Sequence, residues 1–169
     1  MLIAQLTDTH IKPKNRLAYN KVDTANLLQQ AIDHLQQLAQ QPDLVVITGD
    51  LVDQGSLEEY EHLKEILAPL QQPLLLVPGN HDDRDVMQQA FGDLLKKPAP
   101  GFWQFCHQES NWPLRIIGLD TVAPGESGGL LCQDRLDWLD AVLAEDQHKP
   151  TLIMMHHPPF VTGIGHMDD

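Results

Sequence analysis

Asp8-Thr9-His10, Gly49-Asp50-Leu51-Val52-Asp53, Gly79-Asn80-His81-Asp82 and His156-His157-Pro158-Pro159 each stand at the end of an apolar run. Every one of them offers carboxylate, amide or imidazole groups, the donor types taken by hard and borderline divalent cations. The preceding runs read as buried strands, and loops at the carboxyl ends of parallel strands are where open α/β sheets bind their ligands. Taken singly, each segment is ordinary loop chemistry. An Asp–His pair can cap a helix, Gly-Asp turns a chain sharply, Gly-Asn-His-Asp fits a turn, and two prolines close a strand. Four in succession, each at a strand end, point to one shared metal site.

The elements that must position these segments follow from periodicity. Residues 2 to 7 read as a buried strand, and residues 20 to 40 as a helix with Val22, Ala25, Leu28, Ile32, Leu35, Leu38 and Ala39 at helical spacing. Asp43 to Thr48 is a second strand. Residues 56 to 68 form a helix opened by Ser56 with Glu59 three residues on, the spelling of a capping box. Leu74 to Val77 is a third strand, Phe102 to Cys106 and Leu114 to Leu119 flank a turn at Glu109-Ser110-Asn111, Leu130 to Ala144 is a helix, and Thr151 to Met155 a last strand. The order βαβαβα, two β-segments, then αβ implies a mainly parallel sheet with helices against it and a second sheet behind, in a single domain over residues 1–169.

With 169 residues and 42% hydrophobic content, the chain can bury a sizeable core. A net charge of −13 and a pI near 4.9 argue against nucleic-acid polymers as partners, since those are held by clustered Lys and Arg. A small phosphate ester held through metal ions remains compatible, because bound cations offset the acidic side chains of such a site. No signal peptide or membrane span is legible, so a cytoplasmic location is expected. Cys106 and Cys132 show no metal-type spacing and read as two thiols.

The four motifs, in this order, resemble those of the calcineurin-like metallophosphoesterase family, and the Gly-Asn-His-Asp and His-His-Pro-Pro spellings resemble its class III cyclic nucleotide phosphodiesterases and bacterial glycerophosphodiesterases. The resemblance implies an αββα sandwich of two packed mixed sheets flanked by helices. It implies two divalent ions, Fe, Mn, Zn or Co, and hydrolysis of a small phosphodiester such as cyclic AMP or a glycerophosphodiester by a hydroxide that the ions activate. Asp8 and His10 would serve the first metal and Asn80 and His156 the second. Asp50 would lie between them, because a carboxylate has an oxygen for each. His81 would contact a phosphate oxygen or protonate the leaving group. Asp53 and Asp82 would orient the ligands through hydrogen bonds. His157 would support the first His of its pair, and His166, in the segment 161 to 168 read as a substrate-facing loop, would touch substrate. The family's late Gly-His-x-His motif has no counterpart before Asp169, so the chain reads as truncated at its C-terminal side, the front of a longer enzyme or a remnant.

Two other functions stay open on sequence grounds: a phosphomonoesterase or pyrophosphohydrolase of the same superfamily, and a non-catalytic metal-binding fragment. The first would call for cations to hold a dianionic phosphate, and of 11 Lys and Arg only Arg84 reads as beside a motif. Arg16 and Asn20 could reach substrate. His34, His62, His107 and His148 read as solvated, and Trp103, Trp112 and Trp138 as packing residues. A homo-oligomer is compatible with the subgroup.

Overall fold

The computed structural model describes residues 1–92 and 101–168, the side chains of His166 and Met167 excepted. Strands β1 (Ile3–Leu6), β2 (Leu44–Thr48) and β3 (Leu74–Val77) form a parallel sheet in the order β1-β2-β3. The middle strand is buried along its whole length, as its unbroken Leu-Val-Val-Ile run requires of a strand covered on both faces. Helices α1 (Thr24–Gln37) and α2 (Leu57–Leu67) make the two crossovers, and α3 (Arg84–Phe91) follows β3. A second, mixed sheet has β4 (Phe105–His107) antiparallel to β5 (Arg115–Gly118), and β5 parallel to β6 (Thr151–Met154), with α4 (Gln133–Glu145) as crossover. A single apolar core joins Leu44, Val46, Leu76 and Tyr60 of the first layer to Trp103, Phe105, Trp112, Ile116 and Met154 of the second.

Local chemistry sets the element ends. The carboxylate of Asp23 accepts the Asn26 N–H at 3.0 Å, so α1 starts at Thr24 and not near residue 20. Glu59 accepts the Ser56 N–H at 3.0 Å, which closes the expected capping box. The Leu130 N–H is donated to the Thr121 carbonyl at 2.8 Å, which keeps residues 130–132 extended and delays α4 to Gln133. The Trp103 N–H goes to Asp120 at 2.8 Å and its indole N–H to the Leu76 carbonyl at 3.0 Å, so this residue ties the sheets together ahead of β4. Residues 165–168, within the segment read as a loop, make a single helical turn, α5 (Gly165–Asp168).

Two buried arginines brace the second layer. Arg115 donates from β5 to the Val142, Leu143 and Asp146 carbonyls at 2.8, 3.2 and 2.9 Å, closing the C-terminal end of α4. Asp120, with no exposed surface, accepts a two-pronged pair from Arg84 at 2.6 and 2.8 Å and stands 3.7 Å from Arg135. The Phe102 ring lies under both guanidinium groups, at 5.7 and 4.6 Å. Among the described residues no helix is long and apolar enough to cross a membrane.

Removing one partner of a buried ion pair leaves the other charged and unpaired, at a cost of about 3–5 kcal/mol. Asp120→Ala is therefore expected to destabilise the fold by about that amount, read as a shift in the urea midpoint.

Candidate metal centre

All four motifs converge at the carboxyl ends of β1, β2, β3 and β6. Asp50, 5% exposed, lies at the middle, and its two oxygens face two imidazoles. Oδ2 stands 3.5 Å from His10 Nε2, and Oδ1 stands 3.5 Å from His156 Nε2. These gaps are too long for hydrogen bonds. They suit ligands of a shared ion, since two donors each about 2.1 Å from one cation stand about 3 Å or more apart. Asp8 joins Asp50 and His156 in a group whose ligand atoms all lie within 4.8 Å of one another, and Asn80 lines the same cleft.

The supporting contacts fix how the rings present themselves. His156 Nδ1 lies 2.9 Å from the Thr48 carbonyl, which can only accept, so Nδ1 carries the proton and Nε2 presents its lone pair to Asp50. His81 is held in the same way, with Nδ1–H donated to the Asp53 carbonyl at 2.8 Å, and its main-chain N–H donates to Asp50 Oδ1 at 3.0 Å. Burial pushes the Asp50 carboxyl up, but the nearby His156 ring and the His81 main-chain N–H outweigh this and hold it below the usual value. Burial lowers the His156 imidazole, and the neighbouring Asp50 carboxylate more than offsets it, leaving it raised.

Asp82 is the buried anchor. It accepts the Leu51 and Gly79 N–H groups at 3.1 and 2.8 Å and the Tyr60 hydroxyl at 2.9 Å, joining the loops after β2 and β3 to α2. Burial pushes its carboxyl up to about 6 even though these donors pull it down. Tyr60 was not singled out from the sequence. Its hydroxyl also accepts the Asp83 N–H at 3.0 Å, so one ring holds both ends of this turn.

Backbone strain is concentrated here. Asp8, His10 and Asp50 have φ of 53°, 39° and 46°, in the left-handed region that side chains rarely adopt. Space is equally restricted. A Cβ on Gly49 would fall 2.4 Å from the His156 ring, and one on Gly79 would fall 2.3 Å from Asp50 N and Oδ1. The glycines of two motifs are thus what lets the candidate ligands close in.

A cleft of about 890 Å³ opens over Asp8, Asp50, Asn80 and His156. Its far wall is Ser127 to Leu131 with Met155, Pro158 and Pro159. His157 faces this wall. Its Nδ1 lies 2.7 Å from the Thr121 hydroxyl, and a Cβ on Gly129 would fall 2.5 Å from its own Cβ. The sequence reading missed the wall, although Ser-Gly-Gly is a visible loop signal.

Other expectations need correction. Arg84 is not available to substrate, being locked on Asp120 and the Val122 carbonyl. Lys12 also stands beside a motif, and its ammonium contacts Asp53. His107 is buried, not solvated, and His62 is half-buried with Nδ1 2.6 Å from the Lys12 carbonyl. Arg16 and Asn20 are exposed and are not among the residues that line the cleft. The His166 side chain lies outside the described residues, while Asp168 reaches the cleft rim.

Carboxylates and imidazoles gathered at the ends of parallel strands, beneath a second sheet, make an α/β site built for divalent cations. The model of the calcineurin-like phosphoesterases matches residues 1–169, and the chain belongs to that family, which implies divalent metal ions. Over 171 residues it is 41% identical to a probable glycerophosphodiester phosphodiesterase GpdQ of Arcobacter nitrofigilis, covering 99% of this chain and 61% of that protein. It is 33% identical to the glycerophosphodiester phosphodiesterase GpdQ of Enterobacter lignolyticus, over 99% and 60%. It is 32% identical to the 3',5'-cyclic adenosine monophosphate phosphodiesterase CpdA of Pseudomonas aeruginosa, over 99% and 59%. The chain thus spans about 60% of the length of these relatives.

The donor set fits divalent cations on its own geometry. Both oxygens of Asp50 face imidazole nitrogens at ligand spacing. Gly79→Ala should displace Asp50 and His156 and lower Mn²⁺ uptake, whereas Gly128→Ala, with nothing within 4 Å of the new methyl, should leave uptake unchanged. Elemental analysis of the two variants after dialysis against Mn²⁺ checks this.

Proposed function

We propose that this chain carries the site of a metal-dependent phosphodiesterase acting on a small phosphodiester, a 3',5'-cyclic nucleotide or a glycerophosphodiester. The observation that carries the reading is Asp50 with one oxygen toward His10 and the other toward His156, the disposition of a carboxylate shared by two ions. His10 would hold the first ion and Asn80 and His156 the second, with Asp8, which the family resemblance assigns to the first, standing here in one group with Asp50 and His156. When bound, the ions supply Lewis acidity for the phosphoryl oxygens and a nucleophile at neutral pH.

The protein's own groups do the rest. Asp50, His10 and His156 fix where the phosphorus must sit. His81, its Nδ1–H committed to the Asp53 carbonyl, would in its doubly protonated form donate Nε2–H to a phosphate oxygen or pass that proton to the departing alkoxide. Asp82 and Asp53 keep the loops that bear these groups in register.

Charge favours the diester over the monoester. Among the described residues, those lining the cleft include Asp8, Asp50 and Asp168 and no Lys or Arg, so none of them offers a side-chain cation to the extra charge of a dianionic monoester. The relatives named as phosphodiesterases of glycerophosphodiesters and of cyclic AMP support the same choice.

The test is hydrolysis of bis(p-nitrophenyl) phosphate and of p-nitrophenyl phosphate by the Mn²⁺-loaded chain. Diester turnover that is faster and is lost on chelation supports the reading, while preference for the monoester contradicts it. Asp50→Ala should abolish turnover and metal retention together. His81→Ala should lower kcat by about 10²–10⁴-fold, the usual worth of a general acid, with metal content intact.

A further inference from the structure

Beside the Asp8–Asp50–His156 group lies a second one, His10, Asp53 and His81, with ligand atoms also within 4.8 Å of one another. The two groups differ in one respect. The ammonium of Lys12 rests on Asp53 Oδ2, so the second group already contains a cation. Lys12 is itself held, because α2 supplies His62, whose Nδ1–H donates to the Lys12 carbonyl at 2.6 Å. Gln54 donates a side-chain N–H to the same Asp53 oxygen at 2.8 Å. With Oδ2 engaged by two donors, the other oxygen, Oδ1, faces His10 Nδ1 at 3.7 Å. That nitrogen is buried and has no hydrogen-bond partner, and across this gap Oδ1 faces it as a negative charge, which favours a proton on Nδ1.

We propose that Lys12 is a positioning residue for the metal site: by holding the Asp53 carboxylate toward His10, it keeps the proton of that ring on Nδ1 and its Nε2 lone pair aimed at Asp50. Carboxylates that orient a ligating imidazole through its far nitrogen are a general way of fixing tautomer and ring direction. Burial pushes the Asp53 carboxyl up, and the bonds from Lys12 and Gln54 more than offset it, holding it below the usual value. The His10 and His81 rings meet edge to face at 4.7 Å, so a shift of His10 would also disturb His81.

The proposal rests on the metal-site reading above, and it predicts a sign opposite to simple charge repulsion. Removing an ammonium near a cation site should tighten cation binding through Coulomb's law alone. Loss of an orienting partner should instead weaken it, by about 10–100-fold. Mn²⁺ affinity is therefore measured by titration for the wild-type chain, Lys12→Met and Lys12→Arg. Lys12→Met should bind more weakly by about that factor and Lys12→Arg should restore binding. In an Asp53→Asn background, Lys12→Met should have no further effect, since Lys12 acts through Asp53.

A second readout needs no metal. Long-range ¹H–¹⁵N NMR should find His10 of the metal-free wild type protonated at Nδ1, and in Lys12→Met a mixture of the two tautomers. Unchanged or tighter Mn²⁺ binding in Lys12→Met, or an unchanged tautomer, overturns the proposal. A wild-type chain that takes up no Mn²⁺ would contradict the proposed function instead, and the tautomer comparison would still decide the role of Lys12.

Discussion

Everything at the site depends on one buried carboxylate, Asp82. It is 8% exposed, and its oxygens take N–H groups from the loops after β2 and β3 and the hydroxyl of Tyr60 from α2. An anion so placed is costly unless every lone pair is used, and satisfying it forces those three segments into one arrangement. That arrangement sets the Gly79–Asp82 turn against Asp50, so that the His81 N–H meets Asp50 Oδ1 at 3.0 Å. Asp50 is thereby aimed by a hydrogen bond and carries one oxygen toward each imidazole.

The price is backbone strain. Asp8, His10 and Asp50 all occupy left-handed conformations, each costing of order 1–3 kcal/mol, and they stay there because the surrounding bonds leave no alternative. The Asp8 N–H is donated to the Gly49 carbonyl at 3.1 Å and the His10 N–H to that of Asp50 at 2.9 Å, which locks the first two motifs side by side past the ends of their strands. Gly49 and Gly79 complete the device, since any side chain at either position would collide with the ring or carboxylate it supports.

Much of this was legible in the sequence. The buried run Leu44–Thr48, the third strand Leu74–Val77 and the Ser56–Glu59 cap were readable because each follows from local chemistry. The four motifs were readable because their side chains suit cations and each ends an apolar run. What could not be read depends on contacts between distant residues. Arg84 looked like a free cation beside a motif, but its partner Asp120 lies 36 positions on. Lys12 was passed over because its partner Asp53 is 41 positions away. His107 is polar in sequence yet lies under Trp112, with ring centroids 5.1 Å apart. The first residues of β4 and α4 were misjudged because Trp103 and Leu130 spend their N–H groups on Asp120 and Thr121 rather than in a ladder or a helical turn.

The central claim is that Asp50 is shared between two ions at the meeting point of the four motifs. The most direct test is an anomalous difference map from Mn²⁺-loaded crystals, recorded at the manganese edge. Two peaks about 3.5–4 Å apart, one on the His10 side of Asp50 and one on the His156 side, are the expected result. No peak at Asp50, or one confined to the His10, Asp53 and His81 group where Lys12 resides, would contradict it.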